Sequence, residues 1–166
     1  MTEISSPLDT TNERYSAVDL ALGVGPLLET QAILHHLGLV VSSISAVAEE
    51  FASSMSARWD GQTIHDPLQR VRVAFFYPVD GHNPVLELVE PASDTSPVTS
   101  FLKKGGGLHH VCYEIDDLDS ALRQARAAKM AIASPPTPAV AFNGRRIAWV
   151  CSRNRLLMEL LERSAQ

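Results

Sequence analysis

The alternation of apolar and polar positions predicts a similar order of elements in each half of this chain. In the first half the pattern predicts strands at 33–41, 71–77 and 85–90 and a helix at 44–58. Ser42-Ser43 offers an N-cap for the helix. The turn residues between the last two strands include Asp80-Gly81, which is typical of a hairpin. The first half therefore reads as a strand, a helix and further strands.

The second half repeats this order. The pattern predicts strands at 108–115, 146–151 and 156–161 and a helix that begins after Asp116-Asp117 and ends near 130. Pro135, Pro136 and Pro138 interrupt the stretch between the helix and the last strands, and we expect no regular structure there because proline cannot donate to a strand ladder.

The remaining segments suggest how the chain is divided. Residues 1–30 precede the repeated pattern and are expected to be a partly flexible extension. Residues 92–107 join two modules, 31–91 and 108–166, with a short helix that opens at Ser96-Pro97 and stops at three glycines. We expect both modules to form one structural domain.

Two short phrases occur twice with nearly equal spacing. His36 and His110 are 74 residues apart, and Glu87 and Glu159 are 72 residues apart. The repeated phrases are Leu34-His35-His36-Leu37 with Leu108-His109-His110-Val111, and Leu86-Glu87-Leu88-Val89-Glu90 with Met158-Glu159-Leu160-Leu161-Glu162. Such repetition indicates two similar halves. Joining them into a curved, barrel-like sheet would bury the face that each helix leaves open, which predicts an α+β fold around a central cup.

The repeated residues are also a potential metal-ligand set. Side chains alternate along a strand, so only one His of each pair can face the cup, while Glu87 and Glu159 share their faces with apolar residues. A buried, unpaired carboxylate is costly unless a cation neutralises it. Imidazole and carboxylate ligands together suit Co, Mn, Ni, Zn or Fe. The alternative is that both carboxylates face water and that the buried face consists of Leu86, Leu88, Met158 and Leu160.

Charge and composition exclude several classes of function. The net charge of −5 and the absence of a long basic run argue against nucleic-acid and membrane partners. No apolar run is long enough to span a membrane, and the polar, acidic start does not resemble a secretory signal, which predicts a cytoplasmic protein. Cys112 and Cys151 are expected to be reduced core thiols, with Cys112 and Glu114 lining the cup. His65 and His82 are expected in loops.

These motifs resemble the vicinal-oxygen-chelate (glyoxalase/bleomycin-resistance) superfamily, and within it the methylmalonyl-CoA epimerase branch. The most specific segment runs from Ser96 to His110, and the similarity covers about 33–162. The resemblance implies tandem βαβββ modules, a divalent metal and inversion at C2 of a methylmalonyl thioester through an enolate. It also implies that the second His of each pair is the ligand, so the expected metal ligands are His36, Glu87, His110 and Glu159.

The resemblance predicts a metal-dependent epimerase of a small acyl thioester, with Glu159 as the catalytic base and a homodimer as the assembly. Four features differ from the epimerases: the loop before Arg146, the short stretch 151–155 after that strand, the polar extension, and Val73 near the place of a second catalytic Glu. The alternatives are a glyoxalase I-like isomerase or lyase of a thiol adduct and a metal-free small-molecule binding or resistance protein. A dioxygenase ranks lower because Glu87 as a fourth ligand leaves few open metal positions.

Overall fold

The computed structural model describes residues 32–81 and 83–164. The expected N-terminal extension and His82 therefore lie outside the described residues. The first half consists of β1 (Ile33–Val40), α1 (Ile44–Ser54), β2 (Ala57–Arg58), β3 (Ile64–Asp66), β4 (Val71–Pro78) and β5 (Val85–Pro91). After α2 (Thr99–Leu102), the second half consists of β6 (Gly107–Ile115), α3 (Leu118–Ala127), β7 (Ala131–Pro138), a 3-10 turn (Val140–Phe142), β8 (Arg146–Cys151) and β9 (Leu157–Glu162).

The nine strands form one curved, open sheet in which the two halves have matching connections. Its order is β2-β4-β5-β1-β6-β9-β8-β7, and β3 also pairs with β4. β1 is parallel to β5 and β6 is parallel to β9, while the other pairs are antiparallel. The antiparallel β1–β6 pair joins the halves at the centre of the sheet. The predicted α+β fold with a curved mixed sheet is confirmed.

Both faces of the sheet are buried. Its outer face packs against α1 through Leu86 and Leu88, and against α3 through Met158 and Leu160. Glu87 and Glu159 point instead to the concave face, where they are only 5% and 4% exposed. The alternative in which these carboxylates face water is therefore wrong. Within the described part of the chain, no helix is long and apolar enough to cross a membrane.

The proline-rich stretch is regular, contrary to expectation. Residues 131–138 form β7, which pairs only with β8 and lies at the edge of the sheet. An edge strand needs hydrogen bonds on one side only, so proline is tolerated there. The pairing register shifts twice, between Ile132 and Ser134 and between Ser134 and Thr137, and Pro135 and Pro136 lie within the second shift.

Other differences concern the ends of helices and one short strand. Serine and aspartate N-caps are present as expected: Ser43 accepts a hydrogen bond from the backbone N–H of Ala46, and Asp117 from that of Ser120. However, α1 ends at Ser54 rather than near 58, because the chain turns back and Ala57–Arg58 pairs with the end of β4. Strand β3 was not expected.

The short joining helix begins later than predicted. It starts at Thr99, and Ser96 is not its N-cap, because residues 96–99 first form a turn in which the Ser96 carbonyl accepts from the Thr99 N–H. The three following glycines all adopt positive φ, as the predicted stop requires.

Candidate metal centre

Four strands bring the two predicted histidines and two predicted glutamates together. The Nε2 atom of His36 lies 3.2 Å from Nε2 of His110, 3.3 Å from Oε2 of Glu87 and 3.2 Å from Oε2 of Glu159. Nε2 of His110 lies 3.4 Å and 3.7 Å from the same two carboxylate oxygens. Ligands bound to one cation at about 2.0–2.2 Å with angles of 90–110° would be about 3.0–3.6 Å apart. The donor atoms of His36, Glu87 and His110 all lie within 4.8 Å of one another and have the spacing of a single-ion site. Oε2 of Glu159 lies beside them, within 3.7 Å of both imidazoles.

Strand register explains this convergence. Gly38 on β1 pairs with Glu87 on β5 and with His110 on β6. The same relation recurs with the halves exchanged, because Cys112 on β6 pairs with His36 on β1 and with Glu159 on β9. Each half thus contributes one imidazole and one carboxylate across the central strand pair. Equal spacing in the sequence becomes approximate two-fold symmetry in the site.

Gly38 and Cys112 occupy equivalent positions but differ in function. A Cβ atom at Gly38 would overlap the His110 ring, so only glycine leaves room for this imidazole. Burial, together with the Glu159 carboxylate, raises the pKa of the Cys112 thiol well above its usual value. A protonated thiol is a poor metal ligand.

The site contains a buried polar atom without a hydrogen bond. Oε2 of Glu159 is inaccessible to water; it lies 3.2 Å from Nε2 of His36 but receives no aligned hydrogen bond from that ring or from any other group in the described part of the chain. A buried carboxylate oxygen in this state is costly, whereas a cation between it and the imidazoles would satisfy it. The residues present therefore fit a divalent metal.

The imidazoles and carboxylates of the site shift one another's pKa values. Burial lowers the pKa of His36, but the carboxylates of Glu87 and Glu159 outweigh burial and raise it to about 10. Burial raises the pKa of Glu87, but His36 and His110 outweigh burial and lower it to about 2. The metal-free site thus holds a proton on His36 that a cation must displace.

The first His of each pair also faces the concave side, which strand alternation did not predict. The β1–β6 pairing shifts by one residue at His35 on β1 and at His109 on β6. Such bulges turn a side chain to a new direction. As a result, Nδ1 of His35 lies 2.9 Å from Nδ1 of His36, and Nδ1 of His109 lies 3.1 Å from Nδ1 of His110.

Aromatic rings cover the imidazoles of His36 and His110. Phe142 stacks on His36 with ring centroids 5.8 Å apart, and Trp149 meets His110 edge-on at 4.7 Å. Phe142 belongs to the 3-10 turn, which Asp66 ties to the first half by accepting a 2.7 Å hydrogen bond from the Val140 N–H. This contact joins residues 74 positions apart.

A cavity of about 420 Å³ opens onto this centre. Its wall contains both carboxylates, His110 and His109, and apolar residues that include Val73, Val89, Ala133, Phe142, Ile147 and Trp149. A smaller cavity of about 220 Å³ lies beyond Phe142 and contacts His35. Cys112 and Glu114 line neither cavity, contrary to expectation: Cys112 is fully buried, and Glu114 is paired with Arg145. His65 lies on β3 rather than in a loop.

The sequence matches a family model over residues 35–149, described as the glyoxalase/bleomycin resistance protein/dioxygenase superfamily. The chain belongs to this superfamily. The chain is also similar to individual proteins. An uncharacterized Bacillus subtilis protein, YqjC, is 35% identical over 133 residues, which cover 78% of this chain and 91% of that protein.

Several relatives are epimerases by name. The ethylmalonyl-CoA/methylmalonyl-CoA epimerase of Cereibacter sphaeroides is 28% identical over 76% of this chain and 95% of its own length. The mitochondrial methylmalonyl-CoA epimerase of Dictyostelium discoideum is 38% identical over 49% of this chain, and the match spans about half (51%) of that protein. Similarity to named epimerases thus accompanies membership of the superfamily.

Solved structures share the fold. A Mycobacterium tuberculosis methylmalonyl-CoA epimerase superposes with a TM-score of 0.69 over 80% of this chain and 88% of its own, at 22% identity, which shows the fold alone. A Streptomyces coelicolor methylmalonyl-CoA epimerase in complex with 2-nitronate-propionyl-CoA superposes with a TM-score of 0.66 at 25% identity, covering 80% of this chain and 97% of its own.

Proposed function

We propose that this protein is a divalent-metal-dependent epimerase of a small acyl thioester similar to methylmalonyl-CoA. The observation that carries the proposal is the convergence of four donors from four strands at the wall of a cavity with polar and apolar lining. The two imidazole Nε2 atoms lie 3.2–3.7 Å from each other and from both carboxylate oxygens. His36, Glu87, His110 and Glu159 would hold the cation. A divalent cation bound there supplies Lewis acidity, which makes a proton next to a carbonyl easier to remove. The mixed imidazole and carboxylate donors suit Co, Mn, Ni, Zn or Fe.

In this proposal Glu159 is the catalytic base. It lines the cavity, and its buried position keeps its carboxylate away from water. A carboxylate so placed can take the C2 proton of the thioester and return it to the carbon. The apolar part of the wall, which includes Val73, Val89 and Ile147, limits the number of other proton donors next to the carbanion-like species.

Epimerisation also requires a proton to reach the opposite face of C2, and we assign this step to Glu87. Because its carboxylate starts ionised, Glu87 would first take a proton from solvent in the cavity, and Glu159 would release to solvent the proton that it removed, which restores both groups. Val73, near the place expected for a second glutamate, cannot transfer a proton. Glu87 lines the same cavity from the other half of the molecule and is related to Glu159 by the approximate symmetry of the strands. Each carboxylate approaches both imidazoles, and the two come from different halves of the molecule, so a proton transfer that uses both is sterically possible.

Hydrogen exchange tests the proposal directly. The protein is loaded with Co²⁺ or Mn²⁺, its metal content is measured, and deuterium incorporation at C2 of methylmalonyl-CoA is followed in heavy water. We expect exchange in the wild type and a loss of about 100-fold or more in Glu159→Gln, as is usual when a general base is removed. Glu162→Gln is the matched control, because Glu162 lies on the same strand but pairs with Arg146 outside both cavities.

Three results would contradict this function. If Glu159→Gln exchanged the C2 hydrogen at the wild-type rate, Glu159 would not be the catalytic base. No exchange in a fully metallated wild type would favour isomerisation of a thiol adduct, whereas a purified protein that binds no divalent metal would favour a small-molecule binding protein. A homodimer and a cytoplasmic location stay predictions.

A further inference from the structure

The first histidine of each repeated pair contacts the second in the same way in both halves. The Nδ1–Nδ1 separations are 2.9 Å for His35 and His36 and 3.1 Å for His109 and His110. The ring planes are nearly perpendicular in both pairs, at 79° and 89°, with centroids 5.2 Å and 5.3 Å apart. The arrangement therefore occurs twice, on two strands, at two register shifts of the same strand pair.

This geometry constrains where the protons lie when a metal is bound. The Nε2 atoms of His36 and His110 face the carboxylates, so they must be free of hydrogen in order to bind a cation. A neutral imidazole then carries its hydrogen on Nδ1. A hydrogen bond between two Nδ1 atoms needs one donor and one acceptor, so the outer imidazole must accept at Nδ1 and carry its own hydrogen on Nε2.

We propose that His35 and His109 are positioning residues that fix the tautomer and the ring orientation of the metal ligands His36 and His110. This inference rests on the metal site of the proposed function but not on its substrate. Metal-bound histidines commonly donate their second N–H to a fixed acceptor, usually a carboxylate or a carbonyl, and this contact raises ligand basicity. Here the acceptor is the preceding residue of the chain, which a β-bulge turns to the same side.

The outer rings are themselves held in place by aromatic neighbours. His35 meets Phe142 edge-on at 5.6 Å, and His109 meets Phe101 edge-on at 4.8 Å. The two positions differ in one respect. His109 lines the large cavity beside the carboxylates, whereas His35 contacts only the smaller cavity beyond Phe142. Substitution of His35 should therefore change activity only through metal binding. Substitution of His109 can change substrate binding as well.

Metal affinity is the first test. Co²⁺ is titrated into metal-free protein by calorimetry and by its visible absorption, with His35→Phe, His35→Asn and the control His65→Phe. The phenylalanine removes the acceptor, and we expect Co²⁺ affinity to fall about 10- to 100-fold, as is typical for loss of an outer ligand partner. The asparagine carbonyl can occupy the place of Nδ1, so we expect His35→Asn to recover most of the affinity. His65 is exposed on β3, and its variant should bind Co²⁺ like the wild type.

KM, compared with Co²⁺ affinity, distinguishes the roles of His35 and His109. With saturating metal, His35→Phe should leave KM near the wild-type value, whereas His109→Phe should change both KM and Co²⁺ affinity. Co²⁺ affinity at the wild-type level in both phenylalanine variants would overturn the proposal. If the wild type binds Co²⁺ but does not catalyse exchange at C2 of methylmalonyl-CoA, the substrate assignment fails while the positioning role is still decided by the affinities.

A second measurement does not depend on the variants folding. Long-range ¹⁵N–¹H spectra of the Zn²⁺-loaded wild type report which nitrogen of each imidazole carries hydrogen. We expect Nδ1-protonated rings for His36 and His110 and Nε2-protonated rings for His35 and His109. The opposite tautomer in the outer pair, or metal bound through Nδ1 of the inner pair, would overturn the proposal.

Discussion

Replacement of Gly38 by alanine should disable the metal site with little change in the fold. Gly38 pairs with Glu87 on one side and with His110 on the other, at the centre of the sheet. Its φ is not positive, so its backbone conformation alone would accept alanine. The obstacle is steric, because a Cβ atom would overlap three atoms of the His110 ring.

The size of the effect follows from the contact distances. Non-bonded carbon atoms rest about 3.5–4.0 Å apart, so the His110 ring must retreat by more than about 1 Å to admit the methyl group. Metal–ligand distances tolerate only about ±0.2 Å. Alanine therefore removes His110 from the ligand set, and we expect metal affinity to fall at least about 100-fold. Overpacking should also cost about 1–3 kcal/mol of unfolding free energy.

Calorimetric titration with Co²⁺ and thermal denaturation of the metal-free protein measure these two effects separately. Gly61→Ala is the control: this glycine has a φ of +80° and no atom within 4 Å of a Cβ, so its variant loses stability through backbone strain but retains metal affinity. Wild-type Co²⁺ affinity in Gly38→Ala would refute the reasoning, because it would show that His110 is not a ligand or does not lie over Gly38.

Two further predictions concern the proton at the site and the contact that closes the cavity. Because the carboxylates raise the pKa of metal-free His36 to about 10, metal binding at neutral pH must displace one proton. The apparent affinity for the metal should thus rise about tenfold per pH unit from about pH 6 to 9 and level off above the pKa of His36. Calorimetry in buffers of different ionisation enthalpy counts the released proton. A metal affinity independent of pH would contradict this prediction. Asp66→Ala leaves the N–H of Val140 and two nearby N–H groups without their acceptor. We therefore expect the free energy of unfolding, measured with denaturant, to fall by about 1–3 kcal/mol. We also expect a higher KM for the thioester substrate. Asp60→Ala, which removes an exposed turn acceptor, should change neither substantially.

The residue pattern alone determined much of the candidate site. Strand alternation has a period of two, so it places Glu87 and Glu159 on the face opposite Leu86, Leu88, Met158 and Leu160 wherever the strands lie. The repeated spacing indicated two similar halves, and the resemblance to a family selected the second histidine of each pair. These conclusions depend on local order along the chain and on repetition, which a sequence records directly.

Long-range pairing decided the rest. The prolines of 131–138 disfavour a strand locally, yet the edge of the sheet accepts them because only one side is hydrogen-bonded. No local pattern indicated the register shifts that bring His35 and His109 next to His36 and His110, since a bulge exists only relative to a partner strand. The Asp66–Val140 hydrogen bond likewise joins distant residues. Strand register and non-local contacts arise only when the two halves meet. Tertiary structure alone therefore determined how His36 and His110 are held and how the 3-10 turn is attached at the wall of the cavity.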